Sequence, residues 1–177
     1  AASLKGIDVI STRIWFDRVV PTRTPANVFS RFEELRGAGG TFFMLDQLQG
    51  NTPSLWGESE DSTDESKPRG SVVACDFYNA GSLITLNDDE IIKILTERLL
   101  PSAVPRFKDA KVVDSWVGRY PGTVSWFSPG SYGSRPPLEG AGNDVLPNVK
   151  CAGDWVKMGE REHGAKGLCQ ERAYVSG

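Results

Sequence analysis

Apolar residues run along both sides of the first extended stretch. From Asp8 to Val20, Ile10, Ile14 and Phe16 fall on one face, and Val9, Trp15 and Val19 on the other. The pattern predicts a strand covered on both sides, with Arg13, Asp17 and Arg18 as exceptions. Pro21 and Pro25 end it. Asn27 to Arg36 has no decisive period and closes at Gly37, Gly39 and Gly40. Thr41 to Asp46 reads as a short apolar strand, and Ser71 to Tyr78 as another. Asn87 followed by Glu90 has the spacing of a capping box. Asp88 and Asp89 suit the positive end of a helix dipole. Ile91, Ile94, Leu95 and Leu99 then form one stripe, and Pro101 is expected to stop the helix near Leu100. Lys111 to Arg119 predicts a strand, broken by Pro121-Gly122 and resumed from Thr123 to Phe127.

Two segments lack such patterning. Glu58 to Arg69 contains no aliphatic or aromatic residue. Nothing there offsets the entropy of ordering, so a mobile acidic surface insertion is expected. Ser128 to Leu146 is rich in Gly, Pro and Ser and reads as a long connection. Pro147 to Trp155 reads as a short strand ending in a tight turn, and Gln170 to Gly177 as the opening of a helix. A helix of one or two turns is barely stable alone. The expectation is therefore a piece of a longer protein, cut at both ends.

Composition narrows the function classes. The chain has 177 residues, 39% hydrophobic and 24% charged, enough for a real core. Twenty Lys and Arg against 23 Asp and Glu leave a net charge of −3, which does not suggest a nucleic-acid partner. No apolar run approaches the ~18 residues of a membrane span, and peripheral membrane contact stays open. Cys75, Cys151 and Cys169 are an odd, scattered set that argues against a disulfide framework. With His163 as the one histidine, a zinc site would need Cys or carboxylates for nearly all its ligands. No metal is expected.

Several familiar sites are missing. Gly37-Ala38-Gly39-Gly40-Thr41-Phe42 has Phe42 where a dinucleotide loop needs its third glycine, and Gly140-Ala141-Gly142 has Val145 there. Both read as turns. Gly130-Ser131-Tyr132-Gly133 has the wrong spacing for a nucleophile elbow, and a Ser hydrolase would have to use His163 as its base.

The informative segment is 147–177. Gly153 lets a backbone come close to a ligand. Asp154, at the end of a predicted strand, is placed to accept hydrogen bonds from sugar hydroxyls. A helix start near Cys169 to Glu171 presents free N–H groups to an anionic group. Trp155 either walls a ligand or simply packs. Trp15, Phe16, Trp116, Tyr120, Trp126, Phe127 and Tyr132 form a dense aromatic set, read either as core or as an apolar substrate tunnel. Arg13 and Arg119, inside apparent strands, are expected to pair with Asp17 or Asp114.

Pro147-Asn148-Val149-Lys150-Cys151-Ala152-Gly153-Asp154-Trp155 resembles the C-terminal FAD motif of flavin-containing amine oxidoreductases and phytoene-desaturase-like proteins. Gln170-Glu171-Arg172-Ala173-Tyr174-Val175-Ser176-Gly177 resembles the helix that follows it there. Arg13 to Arg18, Gly40 to Phe43, Ala110 to Ser115, Arg119 to Gly122 and Phe127 to Tyr132 are similar to a plant and cyanobacterial branch of the same family. Lys150 departs from the usual apolar strand.

The resemblance implies a mixed α+β fold. It would comprise a substrate-domain sheet with helices, and the last strand and helix start of an FAD-binding Rossmann-like domain whose main half is absent. Residues 1–145 would be the partial substrate domain, with 58–69 as its insertion, and 146–177 the truncated FAD-domain segment. FAD is the implied cofactor. Gly153 and Asp154 would meet its ribityl or phosphate region, Trp155 would lie nearby, and the backbone of Glu171, Arg172 and Ala173 would face the isoalloxazine. The implied activity is dehydrogenation of a small-molecule substrate, an amine or an apolar carotene-like polyene, by transfer to the flavin. The alternative is a non-catalytic flavin-binding or interaction protein on the same scaffold. The branch suggests a plastid. The residues name no catalytic acid or base and no oligomeric state.

Overall fold

The computed structural model describes residues 5–30, 32–59, 69–138, 149–159 and 170–177, without the side chains of Glu171 and Arg172. The architecture is mixed α+β: a five-stranded antiparallel sheet with few helices. The strands are β1 (Lys5–Phe16), β2 (Ala26–Phe29), β3 (Gly39–Met44), β4 (Val72–Tyr78) and β5 (Val112–Trp126), in the order β2-β3-β4-β1-β5. Helices are α1 (Leu45–Gln49), α2 (Asp88–Ile94), α3 (Leu100–Ala103) and α4 (Gln170–Ser176). By compactness the chain divides into Asp8–Pro121 and a second unit of Ala1–Ile7 with Gly122–Gly177. No described helix is long and apolar enough to cross a membrane.

Period-two alternation decides which sheet face is inside. Ile10, Ile14 and Phe16 of β1 stand in register with Phe77, Val73 and the start of β4, and Phe42 and Met44 of β3 meet Cys75 and Val73. All are buried in one cluster with Phe29. Gly40 makes room there: a Cβ on it would lie 3.0 Å from the Phe77 ring and 3.1 Å from Phe29. The Phe29 and Phe77 rings stack at 6.3 Å.

The helical layer covers this face. Asn87 and Glu90 form the expected reciprocal capping box at the start of α2. Ile91, Leu95, Leu99 and Leu100 enter the core, joined by Leu83 and Phe107. Pro101 does not stop the helix. Leu95–Leu99 widens into a π turn, with the Leu100 N–H bonded five residues back to Leu95, and α3 carries on to Ala103. The wider turn gives the proline ring space that an α-helix lacks.

The first strand ends at Phe16, earlier than the alternation implied, and Val19 is exposed. The cause is a loss of ladder partners. Phe16 N–H reaches Ser71 O, and Asp17 N–H turns to Lys111 O. The strand at Thr41 stops at Met44 because Asp46 is used elsewhere. Its buried carboxylate accepts from Ser71 Oγ at 3.0 Å and Val72 N–H at 3.2 Å, while Ser71 Oγ accepts from Val20 N–H at 2.9 Å. Thus Leu45 and Asp46 begin α1. Pro121-Gly122 does not interrupt β5. Gly122 takes a φ of 61°, and an edge strand tolerates a proline without an N–H.

Arg119 pairs with Asp88, and also donates to Leu86 O at 2.6 Å and Ile84 O at 3.3 Å. It thereby ties β5 to the start of α2. Asp17 is held by Arg18, and Arg13 has no pair among the described residues. The expected pairings with Asp17 and Asp114 are therefore not made. The centre of the acidic insertion, 60–68, lies outside the described residues, but its base is closed by Arg69 and Glu58 at 2.7 Å.

Two outcomes follow from this packing. Asp46→Ala leaves Val72 N–H and the Ser71 hydroxyl without their shared acceptor, and should cost about 2 kcal/mol in denaturant unfolding. Burial pushes the Cys75 thiol up to about 12, so alkylation at pH 8 followed by peptide mass analysis should leave Cys75 unmodified until denaturant is added.

Candidate functional site

Around Gly153 the structure brings together several of the resembling segments. Residues 149–155 are not a strand. Among the described residues of this region the only ladder contact is an isolated parallel bridge, Pro137 to Lys157. A strand needs a continuous partner, and Leu138 N–H to Lys157 O and Lys157 N–H to Pro136 O, both 2.8 Å, supply a single crossing point. The segment is instead a turn, with Val156 and Met158 buried beneath it.

α4 returns to this turn. Gly153 N–H donates to Ser176 Oγ at 2.7 Å, and that hydroxyl donates to Ala173 O at 2.8 Å. Ser176 is buried, Ala173 half-buried and Tyr174 exposed. The meeting is at the C-terminal end of the helix, whereas the sequence pointed to its N-terminal end at Glu171, Arg172 and Ala173. The Phe127 to Tyr132 segment joins the same unit. The Arg135 guanidinium lies 3.7 Å from the Phe127 ring centre, and Lys157 Nζ lies 5.6 Å from that of Tyr132. Both fall within the range of cation–π attraction.

Gly153 has a φ of 125°, which an L side chain rarely adopts. Its open side is already filled: a Cβ there would lie 2.6 Å from Trp155 Cδ1 and 2.7 Å from Nε1. The indole is held there by its N–H bond to Ala152 O at 2.9 Å. Asp154 is half-buried beside it. In this arrangement the glycine and the carboxylate suit a sugar chain, but the glycine's bare side is taken by Trp155 and its amide by Ser176. A flavin laid on the turn would have to displace both. His163 and Cys169 lie outside the described residues. No group of three or more metal-binding side chains occurs among those described.

A second candidate surface was not singled out from the sequence. Among the described residues, Leu45, Leu55 and Trp56 pack on Trp15, Phe43 and Val72 at one end of the sheet's outer face. Beyond that cover stand Ser11 and Arg13 of β1, Asp76 and Tyr78 of β4 and Thr41 of β3, placed on one face by the register. Ser11 Oγ donates to Asp76. Tyr78 is pushed up from the usual phenol range, first by burial and then by the Asp76 carboxylate. On β5, alternation puts Trp116, Gly118 and Tyr120 on one side, with the Trp116 ring lying across Gly118. Of the seven aromatics in the predicted set, only Phe16 is buried in the core, and Trp116, Tyr120, Trp126 and Tyr132 are 41–50% exposed. The signal in the sequence was Ser11 and Arg13 at alternate positions of β1, with Asp76 on β4.

Neither protein-family models nor curated proteins show a match to this chain. The arrangement itself yields a test. Gly153→Ala forces a side chain into a left-handed backbone and against the Trp155 ring, costing about 1–3 kcal/mol locally. Near-UV circular dichroism should lose the signal of an immobilised Trp155.

Proposed function

We propose that the chain is part of an FAD-dependent oxidoreductase. Residues 1–145 contribute to the substrate side, and 146–177 return to the flavin domain. The observation that carries this reading is the Ala152-Gly153-Asp154-Trp155 turn. It forms a tight turn in which Gly153 takes a φ of 125° and Asp154 is half-buried beside it. The sheet is consistent with the role. One face is sealed by helices, and the other is left partly open with aromatic and polar side chains. Bound FAD would supply the redox chemistry, and this chain would place and orient the substrate, an amine or an apolar polyene. The second reading is a non-catalytic flavin-binding or interaction protein, and Trp155 filling the space over Gly153 favours its interaction form.

The dinucleotide loop that this function needs is not among these residues, so the chain by itself should bind FAD poorly. Titration of the purified chain followed by flavin fluorescence should show no saturable quenching at micromolar concentration, and saturation there would contradict the reading. Joined to the dinucleotide-binding half, the protein should retain flavin that substrate bleaches anaerobically. Retained flavin that no amine or polyene reduces supports the non-catalytic flavin-binding reading, and a joined protein that never holds flavin overturns the oxidoreductase reading and leaves the interaction protein.

A further inference from the structure

A groove of about 580 Å³ lies between the short turn Glu33–Leu35 and the helical run that starts with α2, within Asp8–Pro121. Pockets of roughly 300–1,000 Å³ take small organic ligands. Leu86 and Ile94, both half-buried, form its apolar lining. The rest of the lining is charged, with three acids and three bases.

These charges are unequally spent. Glu90 is committed to the capping box, where it accepts from Asn87 N–H at 2.9 Å. Glu34 faces Arg98 at 4.0 Å. The side chains of Arg36, Lys93 and Glu97 make no ion pair or hydrogen bond among the described residues. Lys93 and Glu97 stand four apart, the spacing of an ion pair on a straight α-helix. The π turn Leu95–Leu99 opens between them, and its wider winding carries Glu97 off that row. Arg36 takes a left-handed backbone, φ 49° and ψ 37°, at a position where glycine would be free of strain. Its N–H closes the turn on Glu33 O at 2.9 Å and so holds the residue at the groove.

We propose that this groove binds a small organic phosphate monoester, its phosphate on Arg36 and Lys93 and its apolar body on Leu86 and Ile94. Of the unspent charges two are positive and one is negative. A phosphate monoester carries nearly two negative charges at neutral pH and offers three acceptor oxygens, enough for both cations. An organic cation would find Glu97 alone, and bare phosphate would leave the apolar lining unused. The inference stands apart from the oxidoreductase reading.

The test uses the 177-residue chain and four probes: 1-naphthyl phosphate, 1-naphthol, inorganic phosphate and 1-naphthylmethylamine. Amide NMR shifts at Arg36, Lys93 and Glu97 report binding. Naphthyl phosphate should bind at least about 10-fold more tightly than the other three. Lys93→Gln, and Arg36→Asn with a residue that tolerates the left-handed turn, should each weaken it about 5-fold and leave 1-naphthol unchanged. Glu97→Gln should tighten it. Near-UV circular dichroism of each variant confirms the fold. Naphthol or the amine binding as tightly as the ester, shifts confined to other parts of the chain, or indifference to either cation's removal overturns the proposal. Binding to phosphatidate vesicles with none to the soluble ester overturns it as well. The flavin experiment stands or falls separately from all of these.

Discussion

The burial of one sheet face beneath the Asp88 to Ala103 helical run is the constraint on which the rest of Asp8–Pro121 depends. Ile10, Ile14 and Phe16 of β1, Phe42 and Met44 of β3 and Val73, Cys75 and Phe77 of β4 are committed to that layer, and the rings of Phe29, Phe42 and Phe77 pack at the spacing that Gly40 permits. Apolar burial of this kind contributes roughly 25 cal/mol for each Å² removed from water, so the inner face cannot be turned outward without losing most of the core. The alternate residues are then placed on the outer face regardless of their chemistry. Arg13, Ser11 and Asp76 share a surface because Ile14, Ile10, Val73 and Phe77 share the interior.

Polar contacts refine this frame at its ends. Asp46 is a buried carboxylate whose acceptors serve Ser71 and Val72, and Ser71 in turn serves Val20. One carboxylate thus fixes where β1 gives out, where β3 yields to α1 and where β4 begins. Arg119 has the corresponding role at the other edge, joining β5 to the N-terminus of α2 through Asp88 and two carbonyls. In both cases a charged residue inside an apparently apolar region is accounted for by unpaired backbone groups nearby, which bind charge more strongly than they bind water in a half-buried setting.

The Gly153 turn follows a different logic. Its glycine takes a φ of 125°, but its free surfaces are used within the chain, by Trp155 over the glycine and by Ser176 on the amide. A turn with its own internal lid is stable as it stands. The same features that would receive a ligand, an absent Cβ and an unpaired N–H, are the features a neighbouring indole and hydroxyl readily fill.

Local chemistry was legible along the chain: the Asn87–Glu90 capping box, the strand at 72–78, the stripe on α2 and the short helix at 170–176 each depend on residues close in sequence. Tertiary partners decided the remainder. Pro101 sits within a helical run because a π turn accommodates it, and 149–155 is a turn because a strand exists only where a second strand meets it. Asp46 looked like the end of a strand, and only the approach of Ser71 and Val72 makes it the start of a helix. Sequence alone determined which side chains alternate; the folded chain decided which face is covered and which charges are left for something else to meet, because cover comes from elements distant in sequence.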